Sequence, residues 1–274
     1  MTTTDATQLP GPETGARAWA GMMALAIRLS VKDYRAEHST AVLLGAILPR
    51  ALFQLLFLVM LGGSIGGRDG LLAAAVGASA YIMVSATIVK APSILVYERI
   101  YGTMYRLRMT DAPLAGIIAA RWLVYVLEGL VSALLGVLLV TVVLATPAVL
   151  TVFVTAIPVY VLMALTSSAF GMVVALSSLG RRGDVVFSNL ASYVILAFGG
   201  VVVPWNQDSP LATVAEYFPM TNGILALRDV AGGAGMGHHV FAEALVGFGW
   251  SLLAIGVTRV QVWRLRRSGA DFLS

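Results

Sequence analysis

LAGIIAARWLVYVLEGLVSALLGVLLVTVVL, residues 114–144, is an apolar run that contains two ionisable side chains, Arg121 and Glu128. About 20 predominantly apolar residues are enough for a helix to cross the hydrocarbon core of a bilayer. This run is longer, and it lacks the sustained alternation of apolar and polar residues that marks a barrel strand. It therefore predicts a membrane-spanning helix that tilts or projects beyond the bilayer.

Five similar runs accompany it along the chain. The six runs cover residues 41–61, 71–94, 114–144, 149–179, 185–204 and 240–262, and Pro158 predicts a kink in the fourth. The chain is 58% hydrophobic and 12% charged, whereas soluble domains carry about 25% charged residues. We therefore predict an all-α integral membrane protein with six transmembrane helices.

The basic residues predict the orientation of these helices. With the N-terminus inside, 14 of the 18 Lys and Arg residues lie in or beside the cytoplasm; Arg68 and Arg228 lie outside, and Arg50 and Arg121 fall within spans. Basic residues concentrate on the cytoplasmic side of membrane proteins. Both termini are therefore expected to be cytoplasmic.

The N-terminal region has two parts. Residues 1–16 are polar, contain Pro and Gly and lack a signal-peptide core, which predicts a disordered cytoplasmic tail. Residues 17–38 place Arg28, Lys32 and Arg35 on one helical face, which predicts an amphipathic helix lying at the membrane interface against lipids. A simple extension of the first span is the alternative. Residues 39–274 would form the transmembrane domain.

Two further segments connect the apolar runs. YERIYGTMYRLRMTDAP, residues 97–113, combines charges with aromatic anchors and predicts a short cytoplasmic helix that docks on a soluble partner. A loop that only fixes topology would explain its arginines but not its aromatic residues and Glu98. WNQDSPLATVAEYFPMTNGILALRDVAGGAGMGHH, residues 205–239, is too apolar for a solvated loop, so it predicts a re-entrant pair of short external helices before the sixth span.

The sequence gives little support for a catalytic site or a metal site. The chain has no cysteine and three scattered histidines, which argues against thiolate chemistry and a metal cluster. Ser79, in GASAY, faintly resembles the nucleophile of an intramembrane serine protease, but His238 and His239 lie outside any predicted span. Small residues there are more simply a helix-packing face. The basic residues are too dispersed for a nucleic-acid-binding domain.

Two groups of residues resemble the signatures of one family, the ABC-2 type permeases. The first resembles the E-R-x-x-G-T…L signature and consists of Glu98, Arg99, Gly102, Thr103 and Leu107. The second resembles the family's G…P…P…P…R pattern and consists of Gly199, Gly200, Pro204, Pro210, Pro219 and Arg228. With the predicted spans and the interfacial helix, the resemblance covers nearly the whole chain.

The resemblance implies the transmembrane subunit of an ATP-binding-cassette exporter. It assigns ATPase coupling to a cytoplasmic coupling helix between spans two and three, with Glu98, Arg99, Gly102, Thr103, Met104 and Leu107. It assigns an external gate to the re-entrant segment, with Pro204, Pro210, Pro219 and Arg228. The chain has no G-x-x-x-x-G-K-[ST] phosphate loop. ATP and Mg²⁺ would bind two separate ATPase subunits, and this chain would bind no cofactor itself.

Further expectations concern assembly and substrate. Six spans make half a pathway, so a second permease is expected as homodimer or heterodimer partner, in a bacterial plasma membrane. Resemblance to drug- and lipid-export permeases of the daunorubicin-resistance type implies efflux of an amphipathic drug, antibiotic or lipid-like substrate. A polysaccharide or glycolipid exporter is the alternative. An ion-coupled secondary transporter is less favoured, because Glu128 alone is thin support for ion coupling.

Ionisable and aromatic residues within the spans suggest a substrate path. A charged group inside a span costs roughly 2.5–3.5 kcal/mol on insertion scales, so it needs a partner or water. Glu128, with Tyr193 and Phe198, is a candidate lining of the path; alternatively, Glu128 makes an interhelical hydrogen bond. Arg50 and Arg121 are interpreted as reaching toward the inner headgroups.

Overall fold

The computed structural model describes residues 15–100, 114–178, 184–203 and 209–268, and these ranges contain helices and no strand. A short turn at Thr40–Val42 and a π-helical turn at Leu43–Ile47 precede the second long helix. The helices are α1 Gly15–Glu37, α2 Leu48–Ile100, α3 Leu114–Val143, α4 Pro147–Thr155, α5 Ile157–Ser178, α6 Asp184–Phe198, α7 Pro210–Ala215, α8 Thr221–Ala231 and α9 Gly237–Ser268.

Several of these helices are suited to a bilayer. Within the described ranges, four segments are long and apolar enough to cross a membrane: Thr40–Lys90, Trp122–Val143, Ile157–Val174 and Gly237–Val260. A shorter apolar helix runs over Asn189–Phe198. The prediction of an α-helical integral membrane protein is confirmed. The number of six spans remains a prediction.

The helix α2 contains the first two predicted spans and folds back on itself at Gly66 and Gly67. Gly67 has φ +60° and ψ −140°, a conformation that residues with a side chain rarely adopt. A Cβ added to Gly62 would lie 2.7 Å from the carbonyl oxygen of Gly70, although eight residues of straight helix span about 12 Å. Arm 1 (residues 48–65) and arm 2 (residues 68–100) therefore run antiparallel as a helical hairpin.

Arm 2 lies at the centre of the bundle. Its residues 74–84 are all buried, in a core shared with arm 1, α3 and α5. Close backbone approach requires small residues here: a Cβ added to Gly129 of α3 would lie 2.9 Å from the carbonyl oxygen of Met83. In lipid, the hydrophobic effect does not drive helices together, so such close packing is a main source of association between membrane helices.

A break separates α4 from α5. Ala156 has φ −106° and ψ 18°, outside the helical region, and Pro158 follows two residues later. Proline has no N–H to donate and crowds the preceding turn, so the chain bends before it. This agrees with the kink expected at Pro158.

The opposite ends of arm 2 contact different parts of the chain. Near Lys90, the ring of Tyr34 on α1 packs edge-on against Tyr125 of α3, with ring centroids 6.1 Å apart. Near Ala73, arm 2 contacts Arg228 of α8. Lys90 lies 17 residues along the helix from Ala73, a rise of about 25 Å, close to the thickness of a bilayer core of about 30 Å. Arg28, Lys32 and Arg35 on α1 are exposed.

Candidate functional site

A cavity of about 230 Å³ lies between the two arms of α2, α3 and α6. Many of its lining side chains are polar or charged, although the surrounding helices are apolar. These polar residues are Arg50, Gln54, Tyr81, Ser85, Lys90, Glu128, Ser132, Asn189, Ser192 and Tyr193. Polar groups are costly within a bilayer and commonly mark pathways. This polar cavity is therefore the candidate functional site.

An ion pair lies at one side of the polar cavity. The Lys90 ammonium on arm 2 donates hydrogen bonds to both carboxylate oxygens of Glu128 on α3. The two side chains are 21% and 9% exposed, and the ammonium lies 5.6 Å from the ring centroids of Tyr34 and Tyr125. Opposite charges in direct contact offset part of each other's desolvation cost. Glu128 thus makes the interhelical bond that was one alternative considered for it, and it lines the cavity; its place in a substrate path stays a prediction.

Two other residues that line the polar cavity are exposed. Arg50 is exposed, and Tyr193 of α6 is 62% exposed. Deeper in the cavity, the hydroxyls of Tyr81 and Ser192 are hydrogen-bonded at 3.0 Å. Phe198, the third residue predicted for the path, does not line this cavity; its ring stacks on Phe218 with centroids 4.9 Å apart.

A second group of contacts holds the short helix α8 at its N-terminus. Glu243 of α9 is fully buried, and its carboxylate accepts hydrogen bonds from the backbone N–H groups of Met220 and Gly223, both at 3.0 Å, and from Thr166 Oγ1 at 2.5 Å. Met220 has φ +78° and provides no side-chain cap for α8. A carboxylate at this end satisfies unpaired N–H groups and complements the helix dipole. Glu243 therefore acts as the N-terminal cap of α8 from another helix.

Arg228 holds the other end of α8. Its Nη2 donates to the carbonyl oxygens of Gly200 at 2.7 Å and Val201 at 3.3 Å, just after α6, and to that of Ala73 on arm 2 at 3.5 Å. Burial lowers the pKa of Arg228 to about 10, so the guanidinium stays charged at neutral pH. Arg228, predicted as part of an external gate, thus links α8 to two neighbouring elements.

The other residues predicted for the re-entrant segment lie close by. Pro210 opens α7, where the Ser209 hydroxyl accepts from the N–H of Leu211 at 3.3 Å. Pro219 is buried two residues before α8 begins. Pro204 lies outside the described residues.

The predicted coupling helix lies largely outside the described residues. The backbone of Glu98 and Arg99 belongs to the last turn of α2, and their side chains lie outside the described part. Gly102, Thr103, Met104 and Leu107 lie wholly outside it. The coupling role of this segment therefore stays a prediction.

Neither a serine nucleophile nor a metal site emerges from the geometry. Ser79 is fully buried, and its hydroxyl bonds to the Tyr160 hydroxyl at 2.6 Å and to the Val76 carbonyl at 2.7 Å. These bonds engage the group that a protease would need free for its substrate and base. Among the described residues, no group of three or more His, Asp and Glu side chains is arranged to hold a metal.

Two important residues were missed by sequence reasoning. Glu243 lies within the sixth apolar run, where an isolated acid is a signal for a buried partner. Lys90 was grouped with the cytoplasmic basic residues, although it lies four residues before the end of the second run and pairs with Glu128. In each case the partner is far away in sequence, so periodicity could not identify it.

Apolar helices packed around a polar cavity define the class as a multi-pass α-helical membrane protein. The family model of the ABC-2 type transporter matches residues 24–231, from α1 to the end of α8, and the chain belongs to that family. It is therefore a membrane subunit of an ABC transporter, a subunit type that works with ABC ATPase subunits and normally has no ATPase site of its own. No curated protein matches the chain.

Proposed function

We propose that the chain is the permease subunit of an exporter that moves an amphipathic drug, antibiotic or lipid-like molecule out of the cell. The observation that carries this proposal is the polar cavity within an apolar helical bundle of the ABC-2 family. Its polar residues suit a substrate's head, while Ile47, Ala51 and Ile82 line the same space and suit an apolar body. A cavity lined in both ways favours an amphipathic substrate over a small hydrophilic ion.

A second permease copy would complete the pathway. Arm 1 and α6 flank the polar cavity, and both carry large apolar side chains that this single chain leaves exposed. Phe53 is 72%, Phe57 66% and Leu190 55% exposed. Such a surface suits either lipid or a second helical subunit. We propose that a homodimer or heterodimer forms here, with the two cavities facing a shared path.

Energy would come from two separate ATPase subunits that bind ATP and Mg²⁺. In the proposed mechanism, the segment containing Glu98, Arg99 and Gly102–Leu107 docks on these subunits and transmits their closure to arm 2. Arm 2 carries Lys90 into the polar cavity, which gives a continuous helical connection between the docking segment and the site. Arg28, Lys32 and Arg35 of α1 would contact anionic headgroups on the cytoplasmic side.

Ion-coupled secondary transport receives less support, because two acids within the described apolar helices, Glu128 and Glu243, are both engaged in contacts. Glu128 is paired with Lys90, and Glu243 accepts three hydrogen bonds at the start of α8. Carriers that bind protons or Na⁺ in the membrane use acids available for exchange. A polysaccharide or glycolipid substrate stays the alternative within the ABC class, since it also combines a polar and an apolar part.

A pull-down from native membranes tests the proposal. The tagged full-length chain, purified in mild detergent, should bring a soluble protein with an ATP-binding phosphate loop in a fixed ratio. Glu98→Arg should abolish this association and substrate-dependent efflux while membrane insertion is retained. Asp69→Arg, an exposed acid at the turn of α2, is the charge-reversal control and should retain the partner.

The result has two clear readings. Recovery of the ATPase with wild type and Asp69→Arg, but not with Glu98→Arg, supports the permease and its coupling segment. A chain that purifies alone, even after crosslinking, overturns the proposal.

A second experiment tests the substrate class. Changed drug susceptibility on expression of the complete transporter favours a drug-like substrate, and loss of a surface polymer favours the polysaccharide alternative.

A further inference from the structure

The charges that line the polar cavity do not cancel. Lys90 and Glu128 neutralise each other in a direct ion pair. Arg50, on arm 1, also lines the cavity, and no salt bridge joins it to another of the described residues. The cavity therefore has one positive charge in excess, and a guanidinium presents planar paired donors suited to phosphate or carboxylate oxygens.

Neutral hydrogen-bonding groups on three helices line the same cavity as Arg50. Gln54 lies one turn from Arg50 on arm 1, Ser85 is on arm 2, and Asn189 and Ser192 are on α6. Amide and hydroxyl groups both donate and accept, so they can bind phosphate oxygens or the hydroxyls of a polar head. A single polar group entering the cavity would thus meet a charged donor and several neutral ones.

Exposed apolar side chains lie on the same helices as the cavity lining. Phe53 precedes Gln54 in the sequence of arm 1 and is 72% exposed, and Leu190 follows Asn189 in that of α6 and is 55% exposed. A ligand whose head occupies the cavity can leave its chains along these side chains without entering water. A volume of about 230 Å³ accommodates a head group but not a whole lipid.

We propose that this cavity binds the anionic, phosphate-bearing head of a lipid-like amphiphile, with Arg50 as its charge partner. The inference rests on the proposed permease function and names the chemical class of its substrate. A cationic amphiphile is disfavoured, because Lys90 already occupies both oxygens of the Glu128 carboxylate. The lipid's acyl chains lie outside the cavity, along arm 1 and α6.

Lipid binding to the purified full-length chain tests this. Native mass spectrometry would compare phosphatidylglycerol, phosphatidylcholine and a trimethylammonium lipid with identical acyl chains, and phosphatidylglycerol should bind most tightly. Arg50→Gln should weaken its binding about tenfold, the loss expected for one charge-assisted hydrogen-bonded contact. Arg50→Lys should retain part of the affinity. Arg68→Gln, which removes an exposed charge at the turn of α2, should leave it unchanged.

The variant Glu128→Gln distinguishes a cavity that binds anionic lipid heads from one that binds cationic heads. It releases the Lys90 charge into the cavity, so phosphatidylglycerol should bind more tightly, by about fivefold or more. A cation site would respond with weaker binding of the trimethylammonium lipid instead. Inorganic phosphate should not displace the lipid, because it lacks the apolar chains.

Several results would overturn the inference. Unchanged phosphatidylglycerol binding in both Arg50→Gln and Arg50→Lys would do so. A loss of phosphatidylglycerol affinity in Arg68→Gln equal to that in Arg50→Gln would also do so, because it would show that the lipid responds only to surface charge. Displacement by inorganic phosphate at the concentration of the lipid would refute the lipid-like class. The assay requires no ATPase subunit, so its failure beside a successful pull-down would overturn the head-group assignment alone and leave the permease function standing.

Discussion

Replacing Glu243 by Ala should destabilise α8 more than any other part of the bundle. Its carboxylate is fully buried and accepts from the N–H groups of Met220 and Gly223 and from Thr166. The Thr166 hydroxyl keeps its hydrogen bond to the Met163 carbonyl, 3.0 Å away, but the two N–H groups lose the carboxylate that accepts from them. A buried polar group without a partner costs about 1–3 kcal/mol, so the two together cost about 2–6 kcal/mol.

The comparison with Glu243→Gln sharpens this expectation. The Gln side chain retains one carbonyl oxygen and replaces the other acceptor with an NH₂ donor. It can therefore satisfy one N–H of α8 but not both, and the cost should be roughly half that of Ala. Glu216→Ala is the matched control, because the Glu216 side chain is exposed and its backbone carbonyl, which Asn222 uses, is retained.

Hydrogen exchange read by mass spectrometry measures the effect where it should occur. Amides in α8, residues 221–231, should exchange faster by about 30-fold or more in Glu243→Ala, less so in Glu243→Gln, and at the wild-type rate in Glu216→Ala. Thermal unfolding of the whole chain in detergent should follow the same order. Unchanged α8 protection in Glu243→Ala would refute the capping role, and an equal loss in Glu216→Ala would show that the effect is not specific.

Two further predictions concern α2. Lys90→Met alone should lower the melting temperature in detergent more than Lys90→Met combined with Glu128→Leu does. The single change leaves the Glu128 carboxylate buried without its partner. A double variant that melts at the same temperature as the single variant would contradict this. Gly67→Ala should cost about 1–3 kcal/mol through its φ of +60° alone, because an added Cβ meets no atom within 4 Å. Gly66→Ala, at φ −119° and in equally open space, should cost less, and equal melting temperatures would refute the argument.

The general architecture was accessible from the sequence because bilayer thickness imposes it. A run such as residues 114–144 must satisfy its backbone internally, so length and composition alone predict a helix. The break near Pro158 follows from proline chemistry in the same local way. The turn at Gly66 and Gly67 lies between two apolar runs, and it appears in the structure as the tip of one hairpin.

The sites depend on contacts between distant residues, and these were only partly predictable. Glu128 was recognised as an acid needing a partner, but its partner Lys90 is 38 residues away on another helix. Glu243 was overlooked because its ligands, the N–H groups of α8, belong to the backbone and carry no side-chain signature. Phe198 shares an aromatic, apolar character with Tyr193, yet helix rotation turns it toward Phe218 and away from the cavity.

The hydrogen bonds at the two ends of α8 have a mechanical consequence. Glu243 joins α8 to α9, and Arg228 joins it to the end of α6 and to arm 2. Separating any of these elements would break hydrogen bonds, and those of the Arg228 guanidinium are charge-assisted and therefore stronger than neutral ones. We therefore expect this end of the bundle to move as a rigid block. In the proposed dimer, a path between the two permeases would then open as these blocks tilt against each other, and bending would be concentrated at breaks such as Ala156, not within α8.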